Sequence, residues 1–251
     1  MKKLLVKKSK PISGIISISG SKNSALPIMA ASLLSKKDCF LTNIPNLTDI
    51  QTMLILLNNL GVKYHYRTST LLLNGSKLKK NFASYELVRK MRASILVLGP
   101  LLARTGKAKV SLPGGCAIGT RPINLHLYGL KKLGAKISIK NGYVNAEAKN
   151  GLCGNIIDLP LVSVGATENI ILAAITAKGK TIINNAAREP EVQDLCNFLN
   201  KMGSKISGIG SKQIKIEGVK NLRKVKYNII PDRIVAGTFL VAGLITKGRI
   251  K

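Results

Sequence analysis

The 251 residues, 45% of them hydrophobic, are enough for one large domain or two smaller ones. The net charge of +29 would suit a nucleic acid, but the 40 basic residues are scattered and only 4% of residues are aromatic, so we expect no nucleic-acid partner. No apolar run reaches the ~18 residues of a membrane span and the basic start is interrupted too early for a signal peptide, which predicts a cytoplasmic protein without a membrane partner.

A repeat of about seventy residues organises the chain. A Leu-Gly or Met-Gly step, then a small residue, a lysine and a strand, recurs at residues 60–63, 133–136 and 202–205. Each step closes an apolar helix that begins just after a proline and ends at a glycine. These helices are predicted over residues 50–60, 125–133 and 192–202.

A second helix precedes each of these helices, and we predict it over residues 25–34, 85–103 and 167–177. Strands are predicted at residues 15–18, 39–42 and 180–183, and a hairpin at 136–140 and 143–146, with Asn141 and Gly142 as its turn. The unit is therefore strand, helix, strand, helix, strand, strand. We predict an α/β fold, an inside-out barrel of three βαβαββ repeats over residues 21–230, with helices central and sheets outside.

A fourth unit begins near the end of the chain. Residues 236–250 match residues 165–182, and Gly179 and Gly248 are separated by one repeat. We interpret residues 1–20 and 231–251 as incomplete pieces of a second domain of the same kind. We expect residues 231–251 to lack a sheet partner and to be poorly packed.

One cysteine lies in a glycine-rich loop over residues 112–122. Gly114, Gly115 and Gly119 give the loop backbone freedom, and the guanidinium of Arg121 would favour a thiolate at Cys116 or hold an anion. The loop is typical of a segment that moves over a substrate, and the alternative is a surface turn with an incidental cysteine. The four cysteines show no paired spacing, so we expect free thiols.

Three other motifs could hold anions. Lys22 and Asn23 begin a predicted helix, residues 162–167 run from a strand into a helix N-terminus, and Arg92 interrupts an apolar helix face. The alternatives are an ordinary helix cap with a solvated Lys22 and an Arg92 side chain that reaches the surface. Acids and arginines at 186–191 and 231–233 would form local ion pairs, His126 is interpreted as structural, and we see no metal site.

Together these motifs resemble one family, the UDP-N-acetylglucosamine 1-carboxyvinyltransferases, or enolpyruvyl transferases. The resemblance covers the whole chain and rests on residues 19–23, 91–94, 112–122, 162–167, 185–191 and 231–234. It implies transfer of the enolpyruvyl group of phosphoenolpyruvate to the 3-hydroxyl of UDP-N-acetylglucosamine, with release of phosphate, at the first committed step of peptidoglycan synthesis. It implies no cofactor and no metal, and an active site between two domains.

The resemblance also implies roles for particular residues. Cys116 would be the loop acid, Lys22 and Asn23 would hold phosphoenolpyruvate, and Asp232 would help deprotonate the sugar hydroxyl. Arg92 and Arg121 would bind phosphate or carboxylate. The remaining substrate-binding residues would line the nucleotide: Arg121, Pro122, Ile123, Asn124, Leu125, Ser163, Val164 and Gly165.

Some positions depart from the pattern of close relatives. Leu96, Asn124, Leu161 and Val235 stand where we expect a tryptophan, an acid, a lysine and a glutamate, which would weaken nucleotide binding. The second domain is expected to be largely missing, so three interpretations stay open. The first is an enzyme of this family represented by its Cys-loop domain, either as a fragment of a longer product or as one piece of a split chain with a complementary C-terminal fragment. The second is a non-catalytic remnant that binds UDP-sugar weakly or not at all, and the third, on charge alone, is a nucleic-acid-binding protein.

Overall fold

A computed structural model describes residues 3–113 and 122–251. The helices are α1 Lys22–Ala31, α2 Thr48–Leu60, α3 Tyr85–Val88, α4 Leu98–Thr105, α5 Asn124–Lys132, α6 Val164–Ala174, α7 Pro190–Lys201 and α8 Arg233–Ile245, with 3₁₀ helices at Ser32–Leu34 and Arg92–Val97. The strands are β1 Ser13–Gly14, β2 Asp38–Thr42, β3 Lys63–Arg67, β4 Thr70–Asn74, β5 Phe82–Ala83, β6 Lys107–Ser111, β7 Lys136–Lys140, β8 Tyr143–Glu147, β9 Ile156–Asp158, β10 Lys180–Asn184, β11 Lys205–Ser207, β12 Gln213–Glu217, β13 Val225–Asn228 and β14 Arg249–Ile250.

Three four-stranded sheets repeat one strand order: β13-β2-β4-β3, β5-β6-β8-β7 and β9-β10-β12-β11. In each sheet the first pair is parallel and the other two pairs are antiparallel. This confirms the predicted repeat and the mixed α/β class. The sheets are open, however, and in the described part of the chain they do not join into a closed barrel.

The first strand in the sheet of the first repeat is β13, which follows the third repeat in the sequence. Val225–Asn228 pairs with Cys39–Thr42, so β13 occupies the parallel edge of β2. The strand predicted at residues 15–18 is therefore wrong, because its place in the sheet is taken, and Ile15 is exposed. The pairing of β13 with β2 joins the beginning and the end of the three-sheet part, which we define as residues 21–230. The domain boundaries themselves stay a prediction.

The helices pack at the centre of the three-sheet part, as predicted. Helix α6 contacts α4, α5 and α7, and α1 contacts α2 and α7. A Cβ on Gly129 would lie 2.2 Å from the Ile170 side chain, so α5 approaches α6 at a distance that only glycine permits. Every residue of α6 from Ala166 to Ala174 is buried.

The second helix of each repeat also ends as expected. Gly61, Gly134 and Gly203 all have φ between 93° and 109° just after α2, α5 and α7, which is the left-handed conformation of a glycine after a helix. The long helix predicted at 85–103 is wrong. It is split into α3, a 3₁₀ helix and α4. The ring of Pro100 would clash with the carbonyl four residues earlier in a continuous helix, which accounts for the change from the 3₁₀ helix to α4.

The terminal part (residues 3–20 and 231–251) is thinly packed. Ser13–Gly14 pairs in parallel with Arg249–Ile250, so the expectation that residues 231–251 lack a sheet partner is wrong. The chain start supplies this partner across the fold. Poor packing is confirmed, since Leu244 and Ile245 in α8 are each 79% exposed. Within the described residues, no helix is long and apolar enough to cross a membrane.

Candidate active site

Two helix N-termini and a 3₁₀ segment meet around a cavity of about 520 Å³. The cavity brings together residues that are far apart in the sequence. Those of the predicted site are Lys22 and Asn23 at the start of α1, Arg92 at the start of the 3₁₀ helix, and Ser163 and Gly165 at the start of α6. Their functional roles remain predictions, but their convergence is a property of the fold.

The cavity is built to attract anions. The first turns of α1 and α6 carry no acidic residue, and the free N–H groups of a helix N-terminus carry a partial positive charge. The side chain of Ser163 caps α6 by accepting from the N–H of Ala166 at 3.4 Å. Arg89 and Lys90 line the wall beside Arg92. A phosphate or carboxylate would therefore find both main-chain donors and cations here.

Lys22 already has an anionic partner. Its Nζ lies 2.7 Å from Oδ2 of Asp49, and each side chain is about one-third exposed, at 36% and 33%. An ion pair that is one-third exposed to solvent contributes little to stability, so an anionic ligand can replace Asp49 at small cost. Sequence reasoning missed Asp49, because an acid in the first turn of α2 is expected there for the helix dipole alone.

His126 lines the same cavity from α5. Its ring is 4% exposed, and Nδ1 lies 3.1 Å from Nδ2 of Asn169. Burial, and after it the nearby charge of Arg92, lower the pKa of His126 to about 4. The interpretation of His126 as purely structural is thus incomplete: the ring is a neutral, hydrogen-bonded part of the cavity wall.

Glu168 is a buried acid between two cavities. It lines the 520 Å³ cavity and an adjoining one of about 250 Å³, which Val164 and Arg233 also line. Burial, and then the charges of Glu191 and Glu189, raise the pKa of Glu168 well above its usual value, so both effects favour the protonated carboxyl. The signal in the sequence was the polar run 167–169 inside an apolar helix.

The structure does not bring every predicted residue to the cavity. Pro122 to Leu125 lead into α5, with Ile123 buried in the core, and none of the four lines either cavity. Asp232 caps α8: its Oδ1 accepts from the N–H groups of Ile234 and Val235 at 2.8 and 3.2 Å. Cys116 and Arg121 lie outside the described residues.

The predicted ion pair at the start of α8 connects distant rather than local residues. Nε of Arg233 lies 2.9 Å from Oε1 of Glu191, which is 2% exposed. The pair ties α8 to the first turn of α7. Among the described residues, no group of three or more His, Cys, Asp and Glu side chains is arranged to hold a metal ion.

The sequence model of EPSP synthase (3-phosphoshikimate 1-carboxyvinyltransferase) matches residues 6–251. The chain belongs to this family. Two curated relatives named UDP-N-acetylglucosamine 1-carboxyvinyltransferase, from Endomicrobium trichonymphae and Pelagibacter ubique, are 55% and 54% identical to it over its whole length. This confirms the resemblance drawn from the motifs. The chain spans about 60% of the length of these relatives.

Solved structures share the fold. The enolpyruvyl transferase NikO from Streptomyces tendae superposes with a TM-score of 0.82 at 22% identity, covering 92% of this chain and 55% of that one. EPSP synthase from Acinetobacter baumannii gives a TM-score of 0.75 at 20% identity, covering 93% and 53%. The three-sheet architecture is therefore that of enolpyruvyl transferases.

Proposed function

We propose that this chain carries the Cys-loop half of an enzyme that transfers the enolpyruvyl group of phosphoenolpyruvate to the 3-hydroxyl of UDP-N-acetylglucosamine. Phosphate is released, and the product enters peptidoglycan synthesis in the cytoplasm. The observation that carries the proposal is the convergence of Lys22, Arg92 and the N-termini of α1 and α6 on one cavity. The names and 54–55% identity of the relatives support the choice of substrates.

The cavity suits two anionic substrates that must be held side by side. Lys22 would exchange Asp49 for phosphoenolpyruvate, with Asn23 beside it, and Arg92 would hold a second negative group. Ser163 and Gly165, with Val164, would line the nucleotide at the cavity. Residues 122–125, which line neither cavity, would with Arg121 contact the part of the nucleotide that extends beyond it. Fixing both reactants in one geometry lowers the entropic part of the barrier, and fixed cations stabilise charge that develops on the way.

The chemistry needs one acid and one base. Cys116 would protonate the methylene carbon of phosphoenolpyruvate, which leaves an oxocarbenium-like carbon for the sugar oxygen to attack. Asp232 would accept the proton of that hydroxyl. A new C–O bond then forms to the sugar and the C–O bond to phosphate breaks. Because the product keeps its vinyl group, the proton added to carbon leaves again with the elimination of phosphate.

The partner in this proposal is a complementary C-terminal fragment. The chain covers about 60% of its relatives, and the apolar face of α8 is exposed. The rest of such a relative would cover α8 and form the opposite wall of the cleft. The alternative, favoured by the same exposed face, is a non-catalytic protein that binds UDP-sugar weakly.

Phosphate release from phosphoenolpyruvate and UDP-N-acetylglucosamine tests the proposal. We expect release when the chain is mixed with the unmatched C-terminal segment of the Endomicrobium trichonymphae relative, and none when shikimate 3-phosphate replaces the UDP-sugar. Lys22→Met should reduce the rate by roughly two orders of magnitude or more, whereas Lys63→Met, at an exposed lysine of β3, should not. An epoxide phosphonate should label Cys116.

The outcomes separate the two readings of the chain. No release in the mixture, together with measurable UDP-sugar binding, would establish the non-catalytic alternative. No release and no binding would overturn both. In that last case, a steep salt-dependent affinity for RNA would support the third interpretation, a nucleic-acid-binding protein with a net charge of +29.

A further inference from the structure

Asn169 lies at the junction of four helical segments and makes three hydrogen bonds there. The residue is fully buried in α6. Its Oδ1 accepts from the N–H of Gly99 in α4 at 2.8 Å, and its Nδ2 donates to the carbonyl of Ile95 at 3.1 Å. The same Nδ2 lies 3.1 Å from Nδ1 of His126 in α5. One amide thus connects two main-chain groups to an imidazole.

The two main-chain partners decide the orientation of the amide. The N–H of Gly99 can only donate, so the atom facing it is the amide oxygen, and the carbonyl of Ile95 can only accept, so the atom facing it is the nitrogen. The second hydrogen of Nδ2 then points at Nδ1 of His126. That ring nitrogen must be the acceptor, and the proton of a neutral imidazole must sit on Nε2.

We propose that Asn169 is a positioning residue that holds His126 as the neutral Nε2–H tautomer and presents this N–H to an anionic oxygen of a ligand in the cavity. The ligand part rests on the proposed function. Protonating Nδ1 would set two donors against each other and place a second cation beside Arg92, so the arrangement resists an imidazolium. Among the described residues, the other ionisable groups that line the cavity are the Lys22–Asp49 pair, Arg89, Lys90 and Glu168.

Two glycines make room for this arrangement. A Cβ on Gly99 would lie 2.4 Å from Oδ1 of Asn169, closer than real contacts allow. A Cβ on Gly165 would lie 3.1 Å from Cε1 and 3.3 Å from Nε2 of His126. The Nε2 edge of the ring therefore faces the first turn of α6, where main-chain N–H groups attract the same anion. Neutral donors in that place add hydrogen bonds without adding charge.

The tautomer can be read directly by NMR, because the chain has only two histidines. Two-bond ¹H–¹⁵N correlations of the ¹⁵N-labelled chain, assigned with the His65→Gln variant, distinguish the Nε2–H form, the Nδ1–H form and the imidazolium. We expect His126 in the Nε2–H form at pH 7. In Asn169→Asp, a carboxylate would face Nδ1, so the proton should move to Nδ1 or the ring should become charged.

Binding of UDP-N-acetylglucosamine, measured by titration calorimetry, tests the second half of the proposal. If the proton moves to Nδ1 in Asn169→Asp, binding should weaken roughly tenfold or more, the effect of losing a hydrogen bond to a charged oxygen. If the ring becomes charged instead, it keeps its Nε2–H, and binding should not weaken. Two variants of His126 test the same hydrogen bond while Asn169 is unchanged. The side-chain amide nitrogen in His126→Gln reaches the position of Nε2, so this variant should retain binding. The shorter side chain in His126→Asn does not reach it, so this variant should lose binding. His65→Gln, at an exposed histidine, should change nothing.

Each result decides a separate point. An Nδ1–H form or an imidazolium at pH 7 in the unmodified chain overturns the inference even if the UDP-sugar binds. The expected tautomer with equal binding by His126→Gln and His126→Asn overturns the role of the Nε2–H group toward the ligand. The expected tautomer, in a chain that binds no UDP-sugar and releases no phosphate when mixed with the complementary segment, overturns the proposed function and leaves the positioning of His126 by Asn169 established.

Discussion

Helices α6 and α8 occupy the same place in the repeat and have opposite burial. Ile171 in α6 is fully buried, whereas Leu240, one repeat later in α8, is 64% exposed. Both helices are strongly apolar, and each precedes a strand whose edge pairs in parallel with a strand from earlier in the chain, β9 for β10 and β1 for β14. The local sequence therefore makes the same helix twice.

The difference lies in the neighbours. Helix α6 is surrounded by α4, α5 and α7, whereas the contacts of α8 include β14 and the Arg233–Glu191 pair. In a repeat fold each unit buries its helix against the next unit, so an apolar helix alone carries little of the stability. Burial is thus a property of the assembly of repeats, and the apolar pattern only permits it.

The largest effect should separate the two helices at matched positions. Ile171→Ala removes a fully buried side chain and should lower the free energy of unfolding by about 2–5 kcal/mol. Leu240→Ala, at the matched exposed position, should stay within about 0.5 kcal/mol. Urea denaturation of both variants measures the difference. Equal losses would mean that α8 is packed in solution as tightly as α6.

Low pH should lower the free energy of unfolding through His126, which lies in α5 and packs against α6. In the folded chain its pKa is about 4, against 6.5 for an ordinary histidine, so between these values the unfolded chain binds more protons. Stability from this group is present above pH 6.5 and is lost as the pH falls to 4, by about 3 kcal/mol.

The comparison of the unmodified chain with His126→Gln isolates this effect. Glu168 changes stability in the opposite direction, because its raised pKa makes the folded chain bind more protons above the usual carboxyl range. Since Glu168 is present in both proteins, its contribution largely cancels in the difference. The advantage of the unmodified chain over His126→Gln should shrink from pH 6.5 to 4. A difference that is constant with pH would show that His126 titrates normally.

A buried carboxylate holds the ends of the three-sheet part together. Asp194 in α7 accepts hydrogen bonds from Ser24 in α1 and, at 2.6 Å, from the hydroxyl of Tyr227 in β13. Asp194→Ala leaves both hydroxyls without this partner and should cost about 2–3 kcal/mol. Asp158→Ala, which removes an exposed contact to Asn184, should cost less than about 1 kcal/mol. Thermal unfolding of both variants distinguishes them.

Local features of the fold follow from the sequence, and strand partners do not. The hairpin of β7 and β8 was predicted within a residue, because Asn141-Gly142 selects a tight turn, and the glycines after α2, α5 and α7 mark helix ends by their chemistry. The exchange that puts β13 beside β2 is non-local. Nothing near residues 15–18 shows that the edge they would fill is already occupied.

The residues of the candidate site also fall into those that the sequence indicates and those that only the folded structure reveals. Lys22, Asn23, Arg92, Ser163 and Gly165 could be chosen from motifs, because the resemblance to a family favours a ligand-binding role over the ordinary helix caps and surface side chains that such residues also form. Asp49, Glu168 and Asn169 were missed, because the role of each depends on which groups lie opposite it in the folded chain. The polar run in the apolar sequence of α6 was a usable signal, since buried polar groups need partners.

The smallest effect concerns Asp232, which is both the cap of α8 and the proposed base. It stands one repeat after Ser163, the cap of α6, and both side chains accept from main-chain N–H groups. Asp232→Ala should cost about 1 kcal/mol, and only in the local opening of α8. Asp232→Asn should keep the cap, because asparagine caps equally well, but an amide cannot accept the sugar proton.

Hydrogen exchange and activity together decide between these roles. Amides of α8 should exchange faster than those of α6 in the unmodified chain, faster still in Asp232→Ala, and unchanged in Asp232→Asn. In the mixture with the complementary segment, phosphate release should fall in both variants. If Asp232→Asn keeps full activity, Asp232 is a cap alone, and the base must come from another wall of the cleft. If α8 exchanges as slowly as α6, the exposed face of α8 is covered in solution and the contrast between the two helices fails.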